Sequence, residues 1–281
     1  MANPTMRFPG GRAKVLTLSY DDGIFEDFRL IDIMTRHGLK GTFNINAEHM
    51  NNVKKPADAH RERLNAEQAR ALYRPSGNEI ALHGYTHPHL ESLSRERMAY
   101  EILMDRVGLE ALTGEIVRGM AYPFGTTNDG VVACLETCGV AYARTVVSTG
   151  SFRLPENKRD WLRLPATCHH NDSRLVALAD SFSANTPRPF DACLMFYLWG
   201  HAYEFAINDN WHVIEDFAAR MGGHEDIWYA TNIEIYDYIE AYSQLRWSAN
   251  GKIAHNPTAT TLWFNYGTTP VVLAPGETRV F

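Results

Sequence analysis

Two short segments carry residue types that could do chemistry together. Asp21 and Asp22 follow an apolar run and precede Gly23, while His83 and His87 stand four apart behind another such run. One carboxylate with two imidazoles makes a three-ligand set that leaves a divalent ion with open positions, as a hydrolytic site requires. The second aspartate is then free to act as a base. Alone, Asp22-Gly23 would read as a turn and Asp21 as a helix cap. A buried strand in front of them and paired histidines elsewhere favour the metal reading. Gly84 and Pro88 break any helix around the histidines and place them in a tight loop, with His89 as a supporting or surface group.

Three further segments could complete such a site. Tyr122-Pro123-Phe124-Gly125 is a sharp exit from a strand that could aim the Phe124 backbone N–H at a developing oxyanion. Trp199 and His201 end another apolar run, where an imidazole beside an indole could lie against a sugar ring and protonate a departing amine. Cys168-His169-His170-Asn171-Asp172 adds two imidazoles that either line the pocket or precede a helix capped by Asn171 or Asp172.

The elements that must position these residues alternate between β-branched runs and amphipathic stretches, the pattern of βα units around a parallel sheet. Strands are predicted at Lys14–Tyr20, Gly41–Asn46, Glu79–Leu82, Val117–Tyr122, Ala141–Val146, Leu162–Pro165, Cys193–Trp199 and Ile227–Ala230. Helices are predicted at Phe25–His37, Asn65–Tyr73 and Ser92–Leu112, and near 128–138, 172–184, 209–221 and 233–245. So many units favour a closed barrel, whose functional groups collect at the C-terminal ends of its strands. Asp21, Asp22, His83, Pro123 and His201 all fall at such ends. Beyond Trp247, alternation broken by Asn-Gly, Gly267 and Pro275-Gly276 indicates an antiparallel hairpin. This divides the chain into a barrel over 1–246 and a β extension over 247–281.

Composition excludes several classes. Of 281 residues, 45% are hydrophobic and 21% charged, which suits a folded globular chain rather than a disordered one. A net charge of −6 gives no support to nucleic-acid or anionic-membrane partners. Arg61, Arg63 and Arg70, diluted by Glu62 and Glu67, read as a solvated helix face. Residues 1–11 contain no apolar leader and no segment is long enough to span a membrane, which predicts a cytoplasmic chain unless a leader has been trimmed. Cys134, Cys138, Cys168 and Cys193 lack zinc-knuckle spacing and suit reduced, packed thiols.

In their order and spacing, Tyr20-Asp21-Asp22-Gly23, His83-Gly84-Tyr85-Thr86-His87, Tyr122-Pro123-Phe124-Gly125 and the strand ending at His201 resemble the motifs of polysaccharide deacetylases, carbohydrate esterase family 4. The resemblance covers roughly residues 12–245. It implies a distorted (β/α)7-type barrel, with Asp21 as general base, His201 as general acid, and Asp22, His83 and His87 around one divalent ion. Zinc is the family's common ion, with cobalt, nickel, manganese or iron as alternatives. Two positions depart from the pattern. Ala121 replaces the arginine that usually steadies the base, leaving Arg144 on the next strand, or less suitably Arg118, to reach the cavity. The Asp-Trp pair that usually orients the acid histidine is matched only by Asp160-Trp161, at an unusual distance.

The activity implied is removal of acetyl from an N-acetylated sugar or polysaccharide. Alternatives are hydrolysis of a cyclic amide on the same fold, or a carbohydrate-binding protein without turnover, the latter suggested by Ala121 and by Trp263 and Phe264 in the hairpin. An iron oxygenase also uses two histidines and a carboxylate, but the βα alternation speaks against it.

Overall fold

A computed structural model describes residues 4–51 and 59–281. A short strand β1 (Pro4–Arg7) precedes β2 (Lys14–Asp21), in which all eight residues are buried. A strand buried on both faces belongs at the centre of a parallel sheet covered on both sides. The chain then alternates: α1 (Asp27–Arg36), β3 (Gly41–Ile45), α2 (Ala47–Asn51), α3 (Ala66–Tyr73), β4 (Glu79–Leu82), α4 (Arg95–Thr113), β5 (Gly119–Ala121), α5 (Asp129–Thr137) and β6 (Tyr142–Ser148). It continues through α6 (Lys158–Trp161), β7 (Leu164–Ala166), β8 (Cys168–His169), α7 (Leu175–Ala184), β9 (Leu194–Gly200), α8 (Ala202–Ile207), α9 (His212–Met221), β10 (Ile227–Tyr229) and α10 (Asn232–Ser243).

Local chemistry sets the helix ends. Ser94 caps α4 by accepting from Arg97 N, and Gly114 stops it in the left-handed region at φ 78°. Thr231 and Glu234 form a reciprocal capping box at the start of α10.

The parallel sheet runs β9–β2–β3–β4–β5–β6–β7. Closure depends on a change of partner: Leu164–Ala166 pairs with β6, and Cys168–His169 pairs with β9. Thr167 N donates to Tyr197 O at 2.9 Å between the two ladders. With β7 and β8 counted as one bent stave, the barrel has the expected seven. β10 pairs with Lys14–Leu16 on the edge of β2 that β3 occupies from Leu18 onward. β8 escapes sequence reading because it is two residues long and polar; only its register against Leu198 and Trp199 makes it a strand.

The lower end of the barrel is filled by polar groups that satisfy one another. Thr17 Oγ1 donates to Asn232 Oδ1 (2.9 Å), Asn232 Nδ2 donates to the Tyr197 hydroxyl (2.6 Å), and Tyr142 donates to Glu79 Oε1 (2.7 Å). Ile233 N at the α10 terminus donates to Glu79 Oε2 (2.9 Å). This plug lies at the end opposite the one that carries Asp21, Asp22 and His83.

Past α10 lie β11 (Arg246–Trp247), β12 (Ile253–His255), β13 (Leu262–Tyr266), β14 (Thr269–Leu273) and β15 (Thr278–Val280), in two small antiparallel sheets ordered β11–β12–β15 and β1–β13–β14. The anticipated hairpin is β13–β14, and the N-terminal β1 adds a third strand to it. Tyr238 of α10 ties this sheet down, accepting from Trp263 N at 2.9 Å. Phe264 is buried, so it is not available as a sugar platform. Among the described residues, no helix is long and apolar enough to cross a membrane.

Candidate metal and catalytic centre

Asp21 ends β2 in register with Asn44 of β3, and Asn44 Nδ2 donates to Asp21 Oδ1 at 2.9 Å. From β6, across the barrel, Arg144 Nη2 contacts both carboxylate oxygens, at 2.6 Å for Oδ1. Burial opposes ionisation of Asp21, but the guanidinium outweighs it and holds the carboxyl below its ordinary range. Arg144 pairs in register with Ala121 on β5, so both point to the same face. A methyl at 121 leaves the space that the Arg144 side chain fills. Below it, Arg144 lies 4.5 Å from the Trp199 ring centroid.

Asp22 follows in a left-handed conformation (φ 84°) that turns its carboxylate toward the loop after β4. There His83 Nδ1 lies 2.9 Å from Ala121 O, a contact that requires a proton on Nδ1 and leaves Nε2 a bare acceptor. His83 Nε2 faces His87 Nε2 at 3.2 Å, and His87 Nε2 is 4.0 Å from Asp22 Oδ1. Buried groups on α4 fix this loop. Asp105 accepts from His83 N (2.9 Å), and Glu101 accepts from Thr86 N (2.8 Å).

Burial pushes His87 down to about 4 and His83 below its ordinary value, so both are neutral at pH 7. Burial also resists a charge on Asp22, but the Arg63 guanidinium keeps it well below the carboxylate range. Two imidazole lone pairs and a carboxylate converging on one point suit a divalent ion. Arg63, read from sequence as part of a solvated face, instead reaches this carboxylate: Nη2 donates to Asp22 Oδ1 at 3.0 Å.

His201 follows β9. Its Nε2 lies 3.8 Å from Asp21 Oδ2, and its Nδ1 lies 2.9 Å from Glu204 Oε1 in the first turn of α8. Burial works against a charged ring, but the Glu204 contact and the two aspartates prevail and raise its pKa. Glu204 replaces the Asp160-Trp161 pair considered from sequence. Asp160 is spent capping α6, where it accepts from Asn157 Nδ2 at 2.9 Å, and Trp161 is buried against Tyr236.

Glu204 Oε2 also lies 3.3 Å from His169 Nε2 and 2.9 Å from His170 Nε2, and accepts from Asn171 Nδ2 at 2.9 Å. Asn171 N donates to His169 Nδ1 (3.1 Å), so neutral His169 carries its proton on Nε2, toward Glu204. His169, His201 and Glu204 are spaced closely enough to hold an ion. Their contacts instead describe a carboxylate already surrounded by donors.

Residues 9–143 match the family model for polysaccharide deacetylases. The family so identified is that of this segment, just under half of the chain. Among solved structures it resembles a family 4 carbohydrate esterase from Streptomyces lividans in complex with acetate, at 16% identity and TM-score 0.50, covering 77% of this chain and 91% of that one. An allantoinase matches at 14% identity and TM-score 0.60 over 84% of this chain and 93% of its own. A family 4 pseudoenzyme from Bacillus anthracis matches at 16% identity and TM-score 0.50, covering 83% and 68%. Likeness at these identities establishes the fold. No curated protein matches the sequence.

The barrel places the other expected site residues differently. Pro123 is buried beside Gly84, and Phe124 is left-handed (φ 59°) with its ring exposed, stacked on His89 at 3.9 Å. Tyr122 is turned into the core, its hydroxyl donating to Leu162 O (2.6 Å), so its side chain does not line the cavity. Trp199 and His170 are also buried; they back Arg144 and Glu204 rather than face an incoming ligand. Among the described residues, four that are not glycine have positive φ, and three of them are Asp22, His87 and Phe124. Strain of this kind concentrates at functional sites.

Arg63, Asn44 and Glu204 were missed from sequence. Asn44 had a signal, since it ends the strand beside Asp21, and so did Glu204, three residues past His201.

Proposed function

We propose that this chain hydrolyses the amide of an N-acetylated sugar, releasing acetate and a free amine. The observation that carries this is an ionised, immobilised Asp21 lying between the Asp22–His83–His87 set and a proton-rich His201. A divalent ion held by Asp22, His83 and His87 would supply acidification of a water molecule and polarisation of the acetyl carbonyl.

Asp21 takes the water proton as the oxygen bonds to the carbonyl carbon. Arg144 and Asn44 keep Asp21 aimed and ionised before that transfer, which makes them positioning residues. The Phe124 N–H, in its strained turn, donates to the carbonyl oxygen as negative charge develops there. His201 Nε2 gives its proton to the nitrogen as the carbon–nitrogen bond breaks, and Glu204 stabilises the imidazolium until then. The exposed Phe124–His89 stack offers an apolar face to a sugar ring at the mouth.

The test pairs elemental analysis of purified protein with acetate release from chitin-like and peptidoglycan-like N-acetyl sugars, with cyclic ureides and imides alongside. Acetate release that tracks metal content supports the proposal. Equal release from metal-stripped protein refutes it. Ring opening without acetate moves the activity to cyclic amides, and sugar binding without turnover at any metal loading identifies a binding protein.

A further inference from the structure

Arg63 belongs to none of the segments that mark the site, yet it is held there firmly. It lies opposite Ile24 in an antiparallel bridge, with Leu64 N donating to Gly23 O and Phe25 N to Glu62 O, both at 2.9 Å. From this anchor its Nη1 donates to Asp22 O (2.6 Å) and Asn46 Oδ1 (3.0 Å), while Nη2 donates to Asp22 Oδ1 (3.0 Å). Asn46 in turn donates to His83 O at 2.6 Å, so the guanidinium is braced against both halves of the ligand set. Asp22 Oδ1 is the oxygen that faces His87 Nε2.

An ion settling among Asp22, His83 and His87 therefore meets a fixed positive charge already bonded to one of its ligands. A guanidinium cannot shed its proton to relieve the repulsion. At this range and partial burial the like-charge interaction is large enough to change an ion's affinity substantially.

We infer that Arg63 is a built-in competitor for the metal. Without an ion it neutralises Asp22 and keeps its left-handed turn in place; with an ion it must share or release Oδ1. The centre is then a weak, exchangeable metal site rather than a permanently loaded one. This rests on the metal reading proposed above.

Zn2+ binding to the metal-stripped full chain, measured by calorimetry and by competition with a chromophoric chelator, tests it. Arg63→Gln keeps a donor for Asp22 O but removes the charge, and should bind Zn2+ at least about tenfold more tightly. Arg63→Lys keeps the charge and should stay within about threefold of the parent. Equal or weaker binding by folded Arg63→Gln overturns the inference and leaves Arg63 a scaffold residue. Should that variant fail to fold, the guanidinium 15N–1H signals of Arg63 in the parent decide. A shift on adding Zn2+ supports competition, and unchanged signals overturn it. Uptake with equal affinities removes this inference alone, whereas no uptake by any form removes the metal reading and this inference with it.

Discussion

At the open end of one barrel stand two clusters made of the same parts. Asp22 with His83 and His87 forms the first; Glu204 with His169, His170 and His201 forms the second. Their difference lies in where the protons sit. In the first, Ala121 O claims the Nδ1 proton of His83 and turns its lone pair inward, toward another imidazole. In the second, Asn171 N–H occupies Nδ1 of His169 and turns the Nε2 proton inward, toward a carboxylate. One backbone group on the far side of a ring decides whether histidine and carboxylate form a cation trap or a satisfied anion. Side-chain inventory alone does not separate them.

The contrast can be broken most severely at the first cluster. His83→Ala should lose both zinc binding and acetate release, whereas His169→Ala should bind added zinc as the parent does, by calorimetric titration of the metal-stripped proteins. Loss of zinc binding by both variants would erase the distinction. Asp21→Asn, between the clusters, should keep zinc and lose turnover by on the order of 10² or more.

Next comes Arg144, which compensates the buried Asp21 charge. Arg144→Met strands that charge and should cost about 3 to 5 kcal/mol in urea unfolding, while Arg118→Met, on an exposed ion pair with Asp237, should cost less than about 1 kcal/mol. Similar losses for the two would show that Asp21 finds another partner.

The second cluster should respond in pH rather than in metal content. Glu204 raises the His201 pKa, so the acid form persists to higher pH. Glu204→Gln should lower that pKa, move the alkaline limb of kcat toward neutrality and leave zinc content unchanged. An unmoved limb would assign it to another group.

The last effect lies outside both clusters. Burial pushes Asp27 up to about 8. A carboxyl with a raised folded pKa contributes stability that is complete below the unfolded value of about 4 and is lost as pH rises through 8. Asp27→Asn should flatten the decline of thermal stability between pH 5 and 9, read by circular dichroism.

Much of this fold was legible because buried parallel strands are continuous apolar runs, and their ends carry Asp21, Asp22, His83 and His201. What escaped depends on pairing across the barrel. Cys168–His169 is a strand only because β9 accepts it. Arg144 was a candidate from its strand end, but its alignment with Ala121 needed the register. Arg63 was hidden among alternating charges, because a side chain bent back over a turn has no periodicity to betray it. Asp160-Trp161 matched by residue type while Glu204 did the orienting, since proximity after a strand is set by the helix that follows.

The left-handed backbone at Asp22, His87 and Phe124 carries an evolutionary consequence. Each such position costs on the order of 1 to 3 kcal/mol, which glycine would largely relieve. A lineage released from selection for chemistry would gain robustness by drifting to glycine there, starting with the exposed Phe124, whose ring supports little of the core. Glycine at any of the three would remove that strain together with the side chain that faces the open end.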